Sequence, residues 1–363
     1  MPLPISAAVA VGQQALPRLT ENQAMDRTFP GGSKSRVNAA GDAVRESRAT
    51  AQDLLAIEEW RAAHSSVINT FQALLRNRAK EYGARVIQRH KRKLTIFDKL
   101  QRQQSMALAR MDDVAGCRVI CPDVDTLYAF RDAMHQARFA HVLKTPGDKY
   151  DYIKAPKADG YRGIHDVYEY NVSSEEGKHL RGLRIEVQYR TDVQNAWATT
   201  NEIIAHITHG TSEPKYHRGD RRFVDLMSLA SEILARSFEG FVGPHPDLDP
   251  GEVVELYERL EAELGFKFKL AGLGVALKGE YAQGPEFILF REEAQLELLG
   301  FDTPEEALAK LFALEKTRPG ADVVYVPGTT VDEIRSSYKN YYDDAHDFLS
   351  WIAESLEYLR SIS

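Results

Sequence analysis

The chain has 363 residues, 43% of them apolar and 27% charged, with a net charge of −7. That is the make-up of a soluble globular protein long enough for two or three domains, and it excludes a collagenous or largely disordered chain. No apolar run of about 20 residues is present to span a bilayer, and the opening "MPLPISAAVAVG" lacks the basic start of a secretory signal, so a cytoplasmic protein without a membrane partner is expected.

Residues 1–48 are rich in Ala, Gly, Ser and Pro without clear periodicity, which predicts a loosely docked arm. From Leu54 through Ile57, Trp60, Val67, Phe71, Leu74 and Leu75 the spacing predicts a long amphipathic helix ending near Gly83. Arg76 to Arg102 holds ten Lys or Arg against only Glu81 and Asp98, a run that usually forms a solvated face. "TIFDKLQR" reads as a second helix and "VAGCRVIC" as a buried strand, with Cys117 and Cys121 on one face as free buried thiols. Asp125 is placed to cap the helix that follows. "VYEY" and "LRIEVQYR" alternate as strands, and "VQNAWATTNEIIAHI" and "RRFVDLMSLASEILARSFEG" read as helices. The breaker-rich "GPHPDLDPG" at 243–251 is the linker candidate. Beyond it come a helix, two strands, a helix from Pro304, the strand "DVVYVP" and an aromatic helix from Val331. Pro246 to Ser363 carries 24 acidic against 11 basic residues, a net of −13, so residues 1–245 carry +6.

These elements predict an α/β (α+β) fold, a mixed β-sheet flanked by helices, with a small C-terminal α+β unit. The expected domains are an arm over 1–48, a main domain with its leading helix over 49–242, and an acidic domain over 252–363.

The chemistry concentrates in three stretches. In "LRIEVQYRT", Arg184, Glu186, Gln188 and Arg190 face one side of the strand and Leu183, Ile185, Val187 and Tyr189 the other. A carboxylate between guanidinium groups suits a proton acceptor or a metal ligand with phosphate neutralisers, although an exposed strand face explains the same alternation. Asp113 opens the strand "VAGCRVIC", where a carboxylate is costly unless exposed, paired or metal-bound; with Glu186 it offers the two carboxylates Mg²⁺ takes beside substrate phosphates, Asp112 having the opposite parity. Arg89, Lys91 and Lys99 surround a helix start, a plausible triphosphate seat. "DYIKAPKADGYRGIH" packs Lys154, Lys157, Arg162 and His165 around Asp159-Gly160 between Tyr152 and Tyr161, either a surface hairpin or a loop for something flat and anionic. His206, His209 and His217 lack a cysteine or well-spaced acid to complete a metal site.

"RHKRKLTIFDK", "DDVAGCRV", "DYIKAPKADGYRGIH" and "IEVQYRT", followed by "WATTNEIIAH", resemble in this order the nucleotide pyrophosphokinase domain of the RelA/SpoT family over roughly residues 85–210. The resemblance implies a nucleotidyltransferase-like fold, and transfer of the β,γ-pyrophosphate of ATP to the 3′-hydroxyl of GDP or GTP with Mg²⁺ as cofactor. Arg89, Lys91 and Lys99 then match the family's ATP-gripping residues; Asp113, Gly116 and Arg118 match its D-x-x-G-x-R motif, with Asp113 the metal ligand and Arg118 on the ATP side. Lys157, Tyr161 and His165 match the acceptor loop, lysine and histidine for phosphates and tyrosine for the base. Glu186, Gln188 and Arg190 match E-x-Q-x-R, with Glu186 helping to hold Mg²⁺ and activating the acceptor hydroxyl while Gln188 and Arg190 bind the acceptor nucleotide. Gly163 and Tyr150 depart from the family pattern, where many relatives carry a serine and a basic residue.

The absence of an upstream His-Asp hydrolase pattern implies synthesis without degradation; the His165-Asp166 and His346-Asp347 pairs lie elsewhere. The chain resembles a small synthetase with extensions, residues 252–363 being a candidate surface for a regulatory partner or a homo-oligomer. Two other readings stand beside it: a toxin-like relative acting on the 3′ end of tRNA or an adenine nucleotide, and a catalytically silent nucleotide-binding regulator.

Overall fold

The computed structural model describes residues 29–363 except 209–210, 215–217, 272–276, 279–283, 293–294, 319–320, 328–329 and 343. His209 and His217 lie outside the described residues, as does most of the expected arm.

The described end of that arm corrects the expectation of loose docking. Lys34–Arg45 is a helix (α1) whose Val37, Ala40, Ala43 and Val44 are buried. A Cβ on its Gly41 would lie 2.7 Å from Leu108, so the small residues that blur the helical pattern are those that admit close packing. The long helix α2 (Ala51–Ala79) starts on a capping box in which Thr50 and Asp53 satisfy each other's backbone N–H. It buries Ile57, Trp60, Val67, Phe71 and Leu75, and the chain turns away at Gly83 as the spacing predicts.

Next come β1 (Arg85–His90), α3 (Lys93–Arg102), β2 (Ala115–Cys121), α4 (Val124–His135), β3 (Val142–Leu143), β4 (Ile164–Glu169) and β5 (Arg184–Thr191). The strands form a mixed sheet in the order β1-β2-β5-β4-β3, with β2 and β5 parallel and the other pairs antiparallel. α4 is capped by Asp123, whose carboxylate accepts from Thr126 N at 2.7 Å, so Asp125 falls in the first turn instead of at the cap. Cys117 and Cys121 are free and buried. One sheet face packs on α2 and α4 through Cys117, Val119, Ile185, Val187 and Tyr189.

The sheet hands over directly to α5 (Asp192–Ile207), because Thr191 and Gln194 form a capping box at the end of β5. α6 (Arg221–Leu234), α7 (Pro250–Leu264) and the short α8 (Phe266–Ala271) follow. Then come β6 (Leu277–Lys278), β7 (Glu286–Glu292), β8 (Gln295–Phe301), α9 (Pro304–Thr317), β9 (Asp322–Pro327), α10 (Val331–Ser337) and α11 (His346–Ile362). β6-β8-β7-β9 is a second sheet, the α+β unit expected at the C-terminus.

The expected boundary at 243–251 does not separate two cores. Ile203 and Ile204 of α5, Phe223, Leu226 and Ile233 of α6, Val253 and Tyr257 of α7 and Phe348, Ile352 and Leu356 of α11 share one cluster. The aromatic tail is core as well: Tyr338, Tyr341 and Tyr342 are buried with Phe287 and Leu289 of the second sheet against Ile87 and Ile120 of the first. No described helix is long and apolar enough to cross a membrane.

Candidate active site

Strand register assembles the site. Arg89 pairs with Gly116, Gly116 with Glu186, Arg118 with Gln188, and Gln188 with His165. Directly paired residues share a face, so Arg89, Arg118, Glu186, Gln188 and His165 project to one side, and the alternation of β5 adds Arg184 and Arg190. Arg118 donates from one terminal nitrogen to Asn195 Oδ1 of α5 at 3.2 Å. Ile87 and Ile120 lie on the same face, which therefore carries the C-terminal sheet at its β1 edge.

Asp113 sits just before β2, and its two oxygens accept from Lys91 Nζ and Lys99 Nζ, each at 2.8 Å. Burial opposes the charge on Asp113, but the two ammonium groups outweigh it and hold the carboxyl below its ordinary range. Lys91 is pulled down to about 8, chiefly by burial, which the attraction of Asp113 offsets only in part.

Five further side chains close a ring of hydrogen bonds. Tyr161 Oη meets His165 Nε2 at 2.5 Å and His165 Nδ1 meets Glu186 Oε1 at 3.0 Å. Gln188 Nε2 donates to Glu186 Oε2 at 2.7 Å, and one terminal nitrogen of Arg190 donates to Gln188 Oε1 at 3.2 Å and to Tyr161 Oη at 3.3 Å. Burial would push His165 down, yet Tyr161 and Glu186 raise it to about 9; the same contacts hold Glu186 well below the carboxylate range against burial. For Tyr161 burial is again opposed and outweighed, here by Arg190 and His165, and the phenol falls to about 7. The imidazolium thus keeps Glu186 ionised and both ring nitrogens occupied.

Lys157 Nζ lies 5.0 Å from the centre of the Tyr161 ring and 4.3 Å from that of Tyr152, and the Arg190 guanidinium lies 5.2 Å from that of Tyr161. Of the four basic side chains in this loop, Lys157 and His165 face the site. Arg162 is buried on Glu239, which also accepts from Thr191 Oγ1 and Gln194 Nε2, and Lys154 pairs with Asp148 at the surface. Gly160 serves the fold and not a ligand: at φ +93° a Cβ would stand 2.9 Å from both Ser228 Cα and Trp197 Cζ2. A Cβ at Gly163 would stand 3.3 Å from Tyr161 Oη, so the missing side chain leaves the room in which the hydroxyl reaches His165.

Sequence reasoning missed three supports. Asn195 had no motif to mark it, Trp197 anchors the loop by donating to Met227 O at 2.7 Å, and Arg61 holds the backbone of Lys91 through a 2.8 Å bond from its Nε. The Thr-x-x-Gln capping signature at 191–194 was the one legible hint that β5 ends in a fixed geometry. Among the described residues no group of three or more His, Cys, Asp or Glu side chains is placed to hold a metal.

Residues 88–211 match the model of the region found in RelA / SpoT proteins. The bifunctional (p)ppGpp synthase/hydrolase SpoT of Escherichia coli (strain K12) is 30% identical over 203 residues, 54% of this chain and 27% of that protein. The chain thus spans about a quarter of the length of that relative. The GTP pyrophosphokinase YwaC of Bacillus subtilis (strain 168) is 30% identical over 137 residues, 38% of this chain and 59% of the relative. Among solved structures, a GTP pyrophosphokinase family protein from Streptococcus pneumoniae covers 60% of this chain and 96% of its own, at 23% identity and a TM-score of 0.41. The ordered motifs, the sheet that brings them to one face and the matched segment agree: this chain carries a RelA/SpoT region over residues 88–211.

Proposed function

We propose that the chain is a pyrophosphokinase that moves the β,γ-pyrophosphate of ATP to the 3′-hydroxyl of GDP or GTP, forming (p)ppGpp for a stringent response. The observation that supports it best is the placing of Asp113 just before β2 and of Glu186 on the adjacent parallel β5, the first carboxylate held by Lys91 and Lys99 and the second by His165. Phosphoryl transfer asks for alignment and charge neutralisation, which such a surface supplies. Glu186, kept ionised by His165, takes the proton of the acceptor hydroxyl. The acceptor oxygen forms its bond to the β-phosphorus as the bond from that phosphorus to the bridging oxygen breaks, and AMP leaves with the electron pair. Arg89, Lys91, Lys99 and Arg118 neutralise the ATP phosphates; Tyr161 offers a face to the base, and Lys157, Gln188 and Arg190 position the acceptor.

Two carboxylates on neighbouring strands fit Mg²⁺, which takes one or two from a protein and the rest from phosphates and water. Asp113 and Glu186 would hold it, and when bound it supplies positive charge to the transferring phosphoryl oxygens. Lys91 and Lys99 would then pass from Asp113 to the ATP phosphates.

The test is purified protein with Mg²⁺ and γ-labelled ATP, offered GDP, GTP, ATP or deacylated tRNA in parallel. Label is expected on GDP or GTP and stays there with time, as for a synthetase without hydrolase activity. Label on tRNA or an adenine nucleotide would overturn the acceptor assignment, and no label at all would leave a silent regulator.

We also infer that residues 252–363 govern access of ATP, alone or through a regulatory partner or a second copy. Support comes from the second sheet's position on the catalytic face: Tyr338 Oη donates to Gln88 O of β1 at 2.9 Å, and Tyr341 Oη and Arg92 both bond Asp322 Oδ1, at 2.6 and 3.1 Å. Replacing Tyr338 and Tyr341 by Phe, which keeps the packing and removes both hydroxyls, is expected to change the KM for ATP more than that for the acceptor. Equal kinetics in variant and parent would end this reading.

A further inference from the structure

Beside the catalytic acids lies a second, unassigned basic cavity of about 270 Å³, bounded by α1, the turn at Leu108–Arg110 and the adjoining ends of β4 and β5. Its size falls just under the range of about 300–1,000 Å³ typical of small-molecule sites. Lys34, Arg110 and Arg184 line it against a single carboxylate, that of Glu169.

Arg36, Arg45, Arg85 and Arg102 each meet a carboxylate, whereas Lys34 and Arg110 have no ion pair among the described residues. Arg184 spends one terminal nitrogen on Asp112 Oδ1 at 2.8 Å and on Arg110 O at 3.4 Å. A guanidinium has five N–H groups, and no partner among the described residues takes those on its Nε and other terminal nitrogen. Gly182, at φ +83°, makes the room: a Cβ there would stand 2.5 Å from Lys34 Nζ. The cavity is tied to the catalytic acids twice. Arg184 is on the face of Glu186 two residues before it, about 7 Å along an extended strand, and its partner Asp112 adjoins Asp113.

We propose that this cavity is a phosphate subsite, taking a phosphate group of the acceptor that Lys157 and His165 do not reach. The inference rests on the transfer reaction proposed above for the acceptor's role, but not for the binding of phosphate itself. Lys34 and Arg110 supply the charge and the unused edge of Arg184 the directional N–H donors, the combination that oxyanions of phosphate esters select.

The test uses the full chain and two variants, Lys34→Glu and the double variant Lys34→Glu/Arg110→Glu. Lys34 is the first residue of α1, where an acidic side chain suits the helix dipole, and Arg110 is exposed, so unchanged melting temperatures are expected. Binding of inorganic pyrophosphate, measured calorimetrically without ATP, should weaken about tenfold in the double variant and less in the single one. Unchanged pyrophosphate affinity would overturn the site, whatever the protein catalyses. In the transfer assay the KM for the acceptor should rise while kcat and the KM for ATP stay within about twofold. A rise with GDP assigns the acceptor's own phosphates. A rise only with a short oligoribonucleotide ending in a free 3′-hydroxyl assigns a phosphodiester. Weakened pyrophosphate binding with no rise for either acceptor would overturn the subsite while leaving the transferase reading intact.

Discussion

Glu186→Gln is expected to lower transfer by about 10²- to 10⁴-fold, the range that general-base groups contribute, with ATP binding retained. The side chain keeps its length and can still bond Gln188, so the fold at β5 should survive; what disappears is the carboxylate proposed to take the acceptor proton. The variant has a second signature, independent of activity. His165 is raised to about 9 by Tyr161 first and Glu186 next, against the downward pull of burial. A neutral amide at 186 removes one of these anions, so the imidazole should titrate at lower pH in an NMR titration. The parent imidazolium contributes stability that is complete below the ordinary histidine value near 6.5 and fades as pH rises through about 9; in the variant the fading begins earlier. Full transfer activity, or an unmoved His165 titration, would each refute the corresponding half of the mechanism.

The second large effect is on stability. Arg61 is 1% exposed, and its two terminal nitrogens grip Glu315 of α9 at 2.7 and 2.8 Å while its Nε holds Lys91 O. Removing one member of a buried ion pair strands the other, which costs about 3–5 kcal/mol. Glu315→Ala should therefore destabilise the protein by up to that amount in urea denaturation, Arg61 keeping only Glu58 at 3.6 Å, whereas Arg61→Met with Glu315→Leu, which removes both charges and leaves only the Lys91 carbonyl without its donor, should lose less. A Glu315→Ala variant within about 0.5 kcal/mol of the parent, the usual effect of a surface substitution, would mean the pair is hydrated in solution. Because the same guanidinium fixes the carbonyl of Lys91, the KM for ATP should rise in Glu315→Ala.

Much of the arrangement of the candidate site was legible because β5 alternates strictly: Arg184, Glu186, Gln188 and Arg190 share one face and each apolar neighbour is buried. The strand β1 was not legible, because both of its faces carry polar residues. Gln88 and His90 are 3% and 9% exposed, and His90 is bonded to Arg61 O, 29 residues earlier in the chain. A polar side chain buried on a distant backbone carbonyl defeats any reading based on alternation. The same holds at 243–251, whose prolines and glycines suggest a free linker. That stretch is instead bound to α6: Glu232 accepts from His245 N at 2.7 Å, and Arg236 donates to His245 O and Leu248 O. The motif groups Tyr161, Lys157 and His165, but the closed ring that Tyr161 and His165 form with Glu186, Gln188 and Arg190 depends on the reverse turn at Asp159-Gly160 and on Trp197 behind it, neither of which the motif specifies.

The seat of the C-terminal sheet on β1 bears on how this protein tolerates shortening. β1 pairs with β2 on one side only, and strands with a free edge recruit other strands unless something covers them. Here Tyr338 caps Gln88 O and the tyrosine cluster covers Ile87 and Ile120. A chain cut after α7 would therefore lose a solubility device together with any control element, presenting an open hydrogen-bonding edge beside two bare isoleucines. Aggregation of such a fragment would report that exposed edge and would say nothing about catalysis.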